Sequence, residues 1–492
     1  MTANGTTNGH ATNGNHATKP GLVDSLPVTT LISAFVSTVK PSSLTEAMRS
    51  KLSDLILDMV GITATAAHSS ASTPAIVAGF ASLTPPNSGH NTVLTKGSTY
   101  PAHIAALLNA TFGHSLDFDD THASSTLHPG VTAIWAAFAQ AEAADIKDID
   151  LILLAISVGY ELTCRLGTEL GYSAYARGFH NTSTAGVFGA VAAIAVLKKL
   201  DANIIEMAFG LAGSRAAGSM QYLDNGSHNK RLHPGFACHD AFVCVALAEQ
   251  GVIGATKIFE GKMGFLNAYS PNEEKDLNRL VDGLGEKWVF VDTSLKPFPA
   301  CRMTHGSIEM AEAAAEKRRA KGVSSASDLV KEVKSIEVRL RGPNMSLVGD
   351  RTPNKVHPEA EVDGQFSAYF QVAHSYLYGS QQGVKAYERL DDKDIYALSD
   401  KISCVVDDND PALNGMGSRV IIEYSDGGRE EMVNSYPLGE PEHPFKREDV
   451  EKKFRGCMEP VYGAKRSEEV LKAVNEMSLS RGDINKFMAL LA

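Results

Sequence analysis

The chain is short of positive charge, of cysteine and of long apolar runs, and each shortage removes a class of function. Its 46 Lys and Arg are outnumbered by 57 Asp and Glu, for a formal net charge of -11. That balance argues against nucleic acid as a main partner and against an anionic membrane surface. It leaves room for an anionic small molecule, because a pocket can be basic inside an acidic protein. The six cysteines (Cys164, Cys238, Cys244, Cys301, Cys404, Cys457) are scattered and form no CxxC pair. They read as free thiols of a reducing compartment, not as a disulfide framework or cluster ligands. No apolar run reads as long enough to span a membrane. There is no GxGxxG after a strand, no Walker A loop and no GxSxG elbow, which sets nucleotide and acyl-enzyme chemistry aside.

What is present is mostly helix. A chain of 492 residues is too long for one ordinary core. Residues 1–25, rich in Asn, Gly and Thr, are expected to be a disordered tail of a cytoplasmic protein, since they show neither a secretory apolar stretch nor the Arg of a transit peptide. From about Thr29 to Gly254, Ala/Leu-rich segments follow one another at helical spacing, the first after Ser43 and Thr45 as caps. Small residues recur at Ala185, Gly189 and Ala193, which lets another helix come close. The pattern changes near Trp288. "VKSIEVRLRG" alternates like a strand, and "SRVIIEYSDGGREEMVN" reads as a hairpin. The expected fold is mainly α: a helical domain over 26–285, rejoined by 455–492, and a smaller α+β lid domain over 286–454.

Four stretches concentrate chemistry. "HSLDFDDTHASSTLHPG" (residues 114–130) puts three Asp and three His between apolar helices. Were helix to persist, Asp117 and Thr121, four apart, would share a face, with His128 just beyond. The plain alternative is an interhelical loop whose Asp residues cap the next helix. Asp117, Asp119, Asp120, His122 and His128 also offer ligand types for Mg or Zn, but in no recognised metal spacing, so no metal is assigned. In "GFHNTSTAGVFGA", His180 precedes a helix start capped by Thr182 or Ser183, where a neutral imidazole suits a general base or acid. "SHNKRLHPGFACHDA" gathers Lys230, Arg231 and His233, with His228 and His239 nearby. A carboxylate would find cations there together with the free N–H groups of a helix start. In "LKPFPACRMTHGSIEM", Lys296 and Arg302 suit a polycarboxylate. Cys301 lacks the context of a nucleophile and reads as a buried thiol.

These stretches, in this order and together with "GQFSAYF" and "GFLNAYS", resemble the PrpD/MmgE family, which includes 2-methylcitrate dehydratases and cis-aconitate decarboxylases. The likeness runs over about residues 29–480. It implies a pocket between a helical domain and a lid, a homodimer, no cofactor and no iron–sulfur cluster. It also implies that Asp117, Thr121, His128, His180, Lys230 and Lys296 are pocket residues. The family often carries a Tyr where Phe370 stands here, so Tyr369 is the available hydroxyl in that stretch. The first expectation is a hydro-lyase acting on a 2-methylcitrate- or alkylcitrate-like tricarboxylate. Lys230, Lys296 and Arg231 would hold the carbanion charge, His180 or Asp117 would act as base, His128 would protonate the leaving hydroxyl, and Thr121 would orient a carboxylate. Decarboxylation of cis-aconitate, or epimerisation of a related diacid, would use the same charges. A non-catalytic binding protein and a metal-dependent hydrolase are the rivals from other classes.

Overall fold

A computed structural model describes residues 26–270, 275–413 and 415–492; the tail expected over 1–25 lies outside them. The protein is mainly α, with a large helical part and a smaller α+β part. The helix Glu46–Ser69 begins at Thr45, whose hydroxyl accepts the Met48 amide as the sequence predicts. The helices Ile149–Ala176 and Gly186–Lys198 pack very closely. A Cβ at Gly189 would sit 2.5 Å from the Gly159 carbonyl oxygen and 2.0 Å from Thr163 Oγ1. Only glycine permits that approach, and it is the contact that the small-residue spacing foretold. One expectation needs correction: the stretch Asn181–Lys198 is long and apolar enough to cross a membrane. It is 94% buried within the protein, so here it is a core helix.

One apolar core runs from Val28 to Leu295 and resumes at Val450 through Leu491. The long helix Arg447–Ser478 brings the chain back onto Glu46–Ser69. There Lys453 pairs with Asp58 at 2.6 Å, lies 3.7 Å from the centre of the Phe118 ring and donates to the Phe118 carbonyl. The end of the chain thus clamps the loop that carries the acidic residues.

The α+β part has its own core. Strand Val333–Leu340 pairs parallel with Ile402–Val406 and antiparallel with Ser418–Tyr424, which forms the foreseen hairpin with Arg429–Asn434. Ile336, Val338 and Leu340 alternate inward beneath the helices His305–Arg319 and Ala368–Tyr378. Met220 and Tyr222, from the helical part, belong to this second core. The two parts therefore meet through side chains, and the site lies at that meeting.

Candidate active site

The helix Ala102–His114 does not persist to Thr121, contrary to the shared-face expectation. It stops at His114, and Asp117 takes a left-handed backbone with φ 49°, a conformation that Asp tolerates better than most residues. This turns the Asp117 carboxylate toward the helix Asn229–Glu249 and the segment before Cys301. Lys230 donates to Asp117 Oδ1 at 2.5 Å. Lys296 donates to the Asp117 carbonyl at 2.8 Å, with its Nζ 3.3 Å from Oδ1. His128 Nε2 stands 3.6 Å from the same oxygen. All four side chains line a cavity of about 50 Å³ with Thr121, and Leu347, Phe366 and Met416 close it from the α+β part.

The electrostatics follow from this convergence. Burial alone would raise the Asp117 carboxyl, but Lys230, Lys296 and His128 hold it well below the usual carboxylate range. Burial lowers the proton affinity of Lys296, with Asp117 opposing. Burial also lowers His128, with Asp119 opposing. Lys230 and Arg231 sit in the first turn of their helix, the positive end of its dipole. Cations there are unfavourable until anions join them.

The other predicted residues fall into three groups. His180 is fully buried and is not part of the cavity wall. Its Nδ1 meets His233 Nδ1 at 3.0 Å, and its ring stacks on His114 at 5.4 Å. The two form a layer behind the wall, and no side chain of the short helix Asn181–Thr184 caps its start. Arg231 points away from the cavity: it binds Ser72 Oγ at 2.8 Å and Glu361 at 2.9 Å, tying the helical part to the lid. Arg302 touches the cavity, but its donors go to Glu440, the Leu438 and Pro437 carbonyls and His305. Those partners take four of its five N–H donors. Tyr369 is a correction as well. Its hydroxyl donates to the Gly349 carbonyl at 2.7 Å inside the lid core. Phe370 stacks beside Tyr387 and also misses the cavity.

Of the acidic loop, Asp120 does what the plain reading proposed and accepts from the Gly130 amide at the next helix start. His122 bonds Ser125 and the Val289 carbonyl. A converging metal-type group among the described residues is His114, Asp119 and His128, with ligand atoms within 4.8 Å of one another. It keeps only two of the five residues named as possible ligands, and its tightest contact, His114 Nδ1 to Asp119 at 2.7 Å, is a hydrogen bond. Burial pushes the Cys301 thiol up to about 11, so it is no thiolate. Sequence reasoning passed over Tyr175 and Tyr222, which both line the cavity. A tyrosine just upstream of His180 and another just upstream of Lys230 were the available signals. Tyr175 arrives through a kink at Gly171, with φ 58°.

The MmgE/PrpD N-terminal domain model matches residues 30–278, and the C-terminal domain model matches residues 298–478. A cis-aconitate decarboxylase-like protein of Aspergillus oryzae, oryM, is 26% identical over 96% of this chain and 99% of its own. A cis-aconitate decarboxylase of Aspergillus terreus is 27% identical over 81% and 83%. One of Homo sapiens is 26% identical over 77% of each chain.

Proposed function

We propose that this chain, which belongs to the MmgE/PrpD family, is a lyase that forms a carbanion next to a carboxylate of a small tricarboxylic acid. One observation carries this reading: two buried ammonium groups, Lys230 and Lys296, share the single carboxylate of Asp117 at the wall of one cavity. Losing a proton or carbon dioxide beside a carboxylate adds charge to a group already negative. Two fixed cations in a water-poor site stabilise that charge without having to reorganise. His128, neutral and facing the cavity through Nε2, takes or returns the proton. The hydroxyl of Thr121 and the phenols of Tyr175 and Tyr222 orient the carboxylates.

Either of two bonds could break. Loss of water from a 2-methylcitrate- or alkylcitrate-like acid is the reading that the motifs suggested first. One observation favours the second, loss of carbon dioxide from cis-aconitate. The relatives above carry that name.

The test is mass spectrometry of the purified chain incubated with cis-aconitate, 2-methylcitrate and an alkylcitrate, with Lys296→Met alongside. Loss of carbon dioxide or of water, reduced at least a hundredfold in the variant, is the expected result. Deuterium uptake from heavy water with no net loss would mean epimerisation instead. No change in any acid would overturn the reading.

A further inference from the structure

We propose that Asp119 is a positioning residue for His128, and that His114 holds Asp119 to that task. Only the kinetic arm of the test rests on the lyase reading above.

Asp119 is fully buried and does not face the cavity. Its two oxygens serve two histidines. Oδ2 accepts from His114 Nδ1 at 2.7 Å, and Oδ1 lies 3.3 Å from His128 Nδ1. The second approach meets no hydrogen-bond geometry as it stands: Asp119 Oδ1 and His128 Nδ1 are both buried, and neither has a hydrogen-bond partner among the described residues. The far nitrogen of the same ring, Nε2, faces Asp117 and the cavity. A neutral imidazole carries one proton. A carboxylate at Nδ1 places it there and leaves the Nε2 lone pair toward the substrate. When Nε2 takes a proton, the imidazolium meets the Asp119 charge and the 3.3 Å contact closes into a hydrogen bond, as contacts in resting sites commonly do.

The surroundings make this assignment consequential. His128 is faced by Asp119, Asp117, Lys230 and Lys296, by the ring of His114 at 4.7 Å, and more distantly by His180. Both lysines oppose a second proton on His128, and Asp119 opposes the lysines. His114 adds no competing charge, because burial drops it to about 3 and it remains a neutral donor. The backbone locks the other side: the His128 amide donates to Thr182 Oγ1. That bond fixes the backbone under the ring, and Asp119 Oδ1 stands against Nδ1.

The test is Asp119→Asn in the full chain, read in two ways. Histidine-selective nitrogen-15 NMR, with His128 assigned from His128→Gln, reports tautomer and titration midpoint without any substrate. The wild type should show His128 with its proton on Nδ1. In Asp119→Asn the tautomer should become mixed or reversed, and the midpoint should fall because the lysines are no longer opposed. On the substrate that the wild type turns over, kcat should drop by about 10²–10⁴. KM should stay within threefold, and the acidic limb of the rate profile should move to lower pH. His114→Asn should move the same quantities in the same direction by less. A merely structural Asp119 would lower the folded fraction and leave tautomer and midpoint alone; that result overturns the proposal, as does an unchanged pH limb. If no acid is turned over, the lyase reading falls and the NMR arm still decides this one.

Discussion

Asp120 gives the sharpest test of how burial sets charge in this fold. It lies beside the site, 1% exposed, with Oδ1 accepting from the Gly130 amide and Oδ2 taking the Tyr160 hydroxyl at 2.5 Å. Burial pushes its carboxyl up to about 7 from an ordinary 3.8; Asp119 and Asp58 add to the rise, and the two hydrogen bonds only partly offset it. Between those two pH values the folded chain holds a proton that the unfolded chain has released. Stability therefore falls as pH rises through that window, by 1.36 kcal/mol per pH unit for one proton. The full cost of ionising Asp120 is roughly 4 kcal/mol above pH 7. Asp120→Asn keeps the acceptor for Gly130 and cannot ionise. From pH 5 to 8.5 the wild type should lose about 2.7 kcal/mol that the variant keeps. That difference amounts to several degrees in Tm. The assay is thermal unfolding of both proteins from pH 5 to 8.5. Asp58, also pushed up by burial, to about 6, tilts both curves in the same direction. Parallel curves across the whole range would refute the reasoning.

Two further outcomes are expected. Arg302→Ala leaves the buried Glu440 carboxylate without its cation and takes a donor from the Leu438 carbonyl. It should destabilise the fold by about 3–5 kcal/mol in chemical denaturation while changing the KM of the folded enzyme little. A large KM effect at unchanged stability would restore Arg302 as a substrate clamp. The second outcome concerns proton linkage. Asp117 and Asp119 balance Lys230 and Lys296, and burial keeps His128 neutral. A polyanion entering the cavity leaves negative charge uncompensated and raises the proton affinity of His128. Binding of propane-1,2,3-tricarboxylate at pH 7.5 should therefore take up protons and weaken as pH rises. Calorimetry in buffers of different ionisation heat measures the uptake, which should vanish in His128→Gln. No uptake in the wild type would show that the anion is balanced elsewhere.

The fold was largely legible because its signals are local. Helical periodicity, the Thr45 cap, the small-residue stripe through Gly189 and the DGG turn each depend on neighbours in sequence. The site was legible only as far as charge is conspicuous. Lys230 and Lys296 stood out as cations beside apolar runs, and both reach the cavity. Arg231 and Arg302 stood out on the same ground, but protein partners from far along the chain hold them: Glu361 lies 130 residues from Arg231, and Glu440 lies 138 residues from Arg302. Composition shows that an arginine can grip a carboxylate, not that a protein carboxylate already holds it. Tyr369 failed for a different reason. The helix Ala368–Tyr378 lies in the lid core, so the Tyr369 hydroxyl meets Gly349 and Phe370 stacks beside Tyr387, and neither reaches the cavity. His114 and Asp119 were hidden in plain view: the sequence displayed them among the other acids and histidines of one loop. Which of those groups face the cavity and which stand behind it is decided by the left-handed turn at Asp117, and by the two lysines that reach that carboxylate from 113 and 179 residues away.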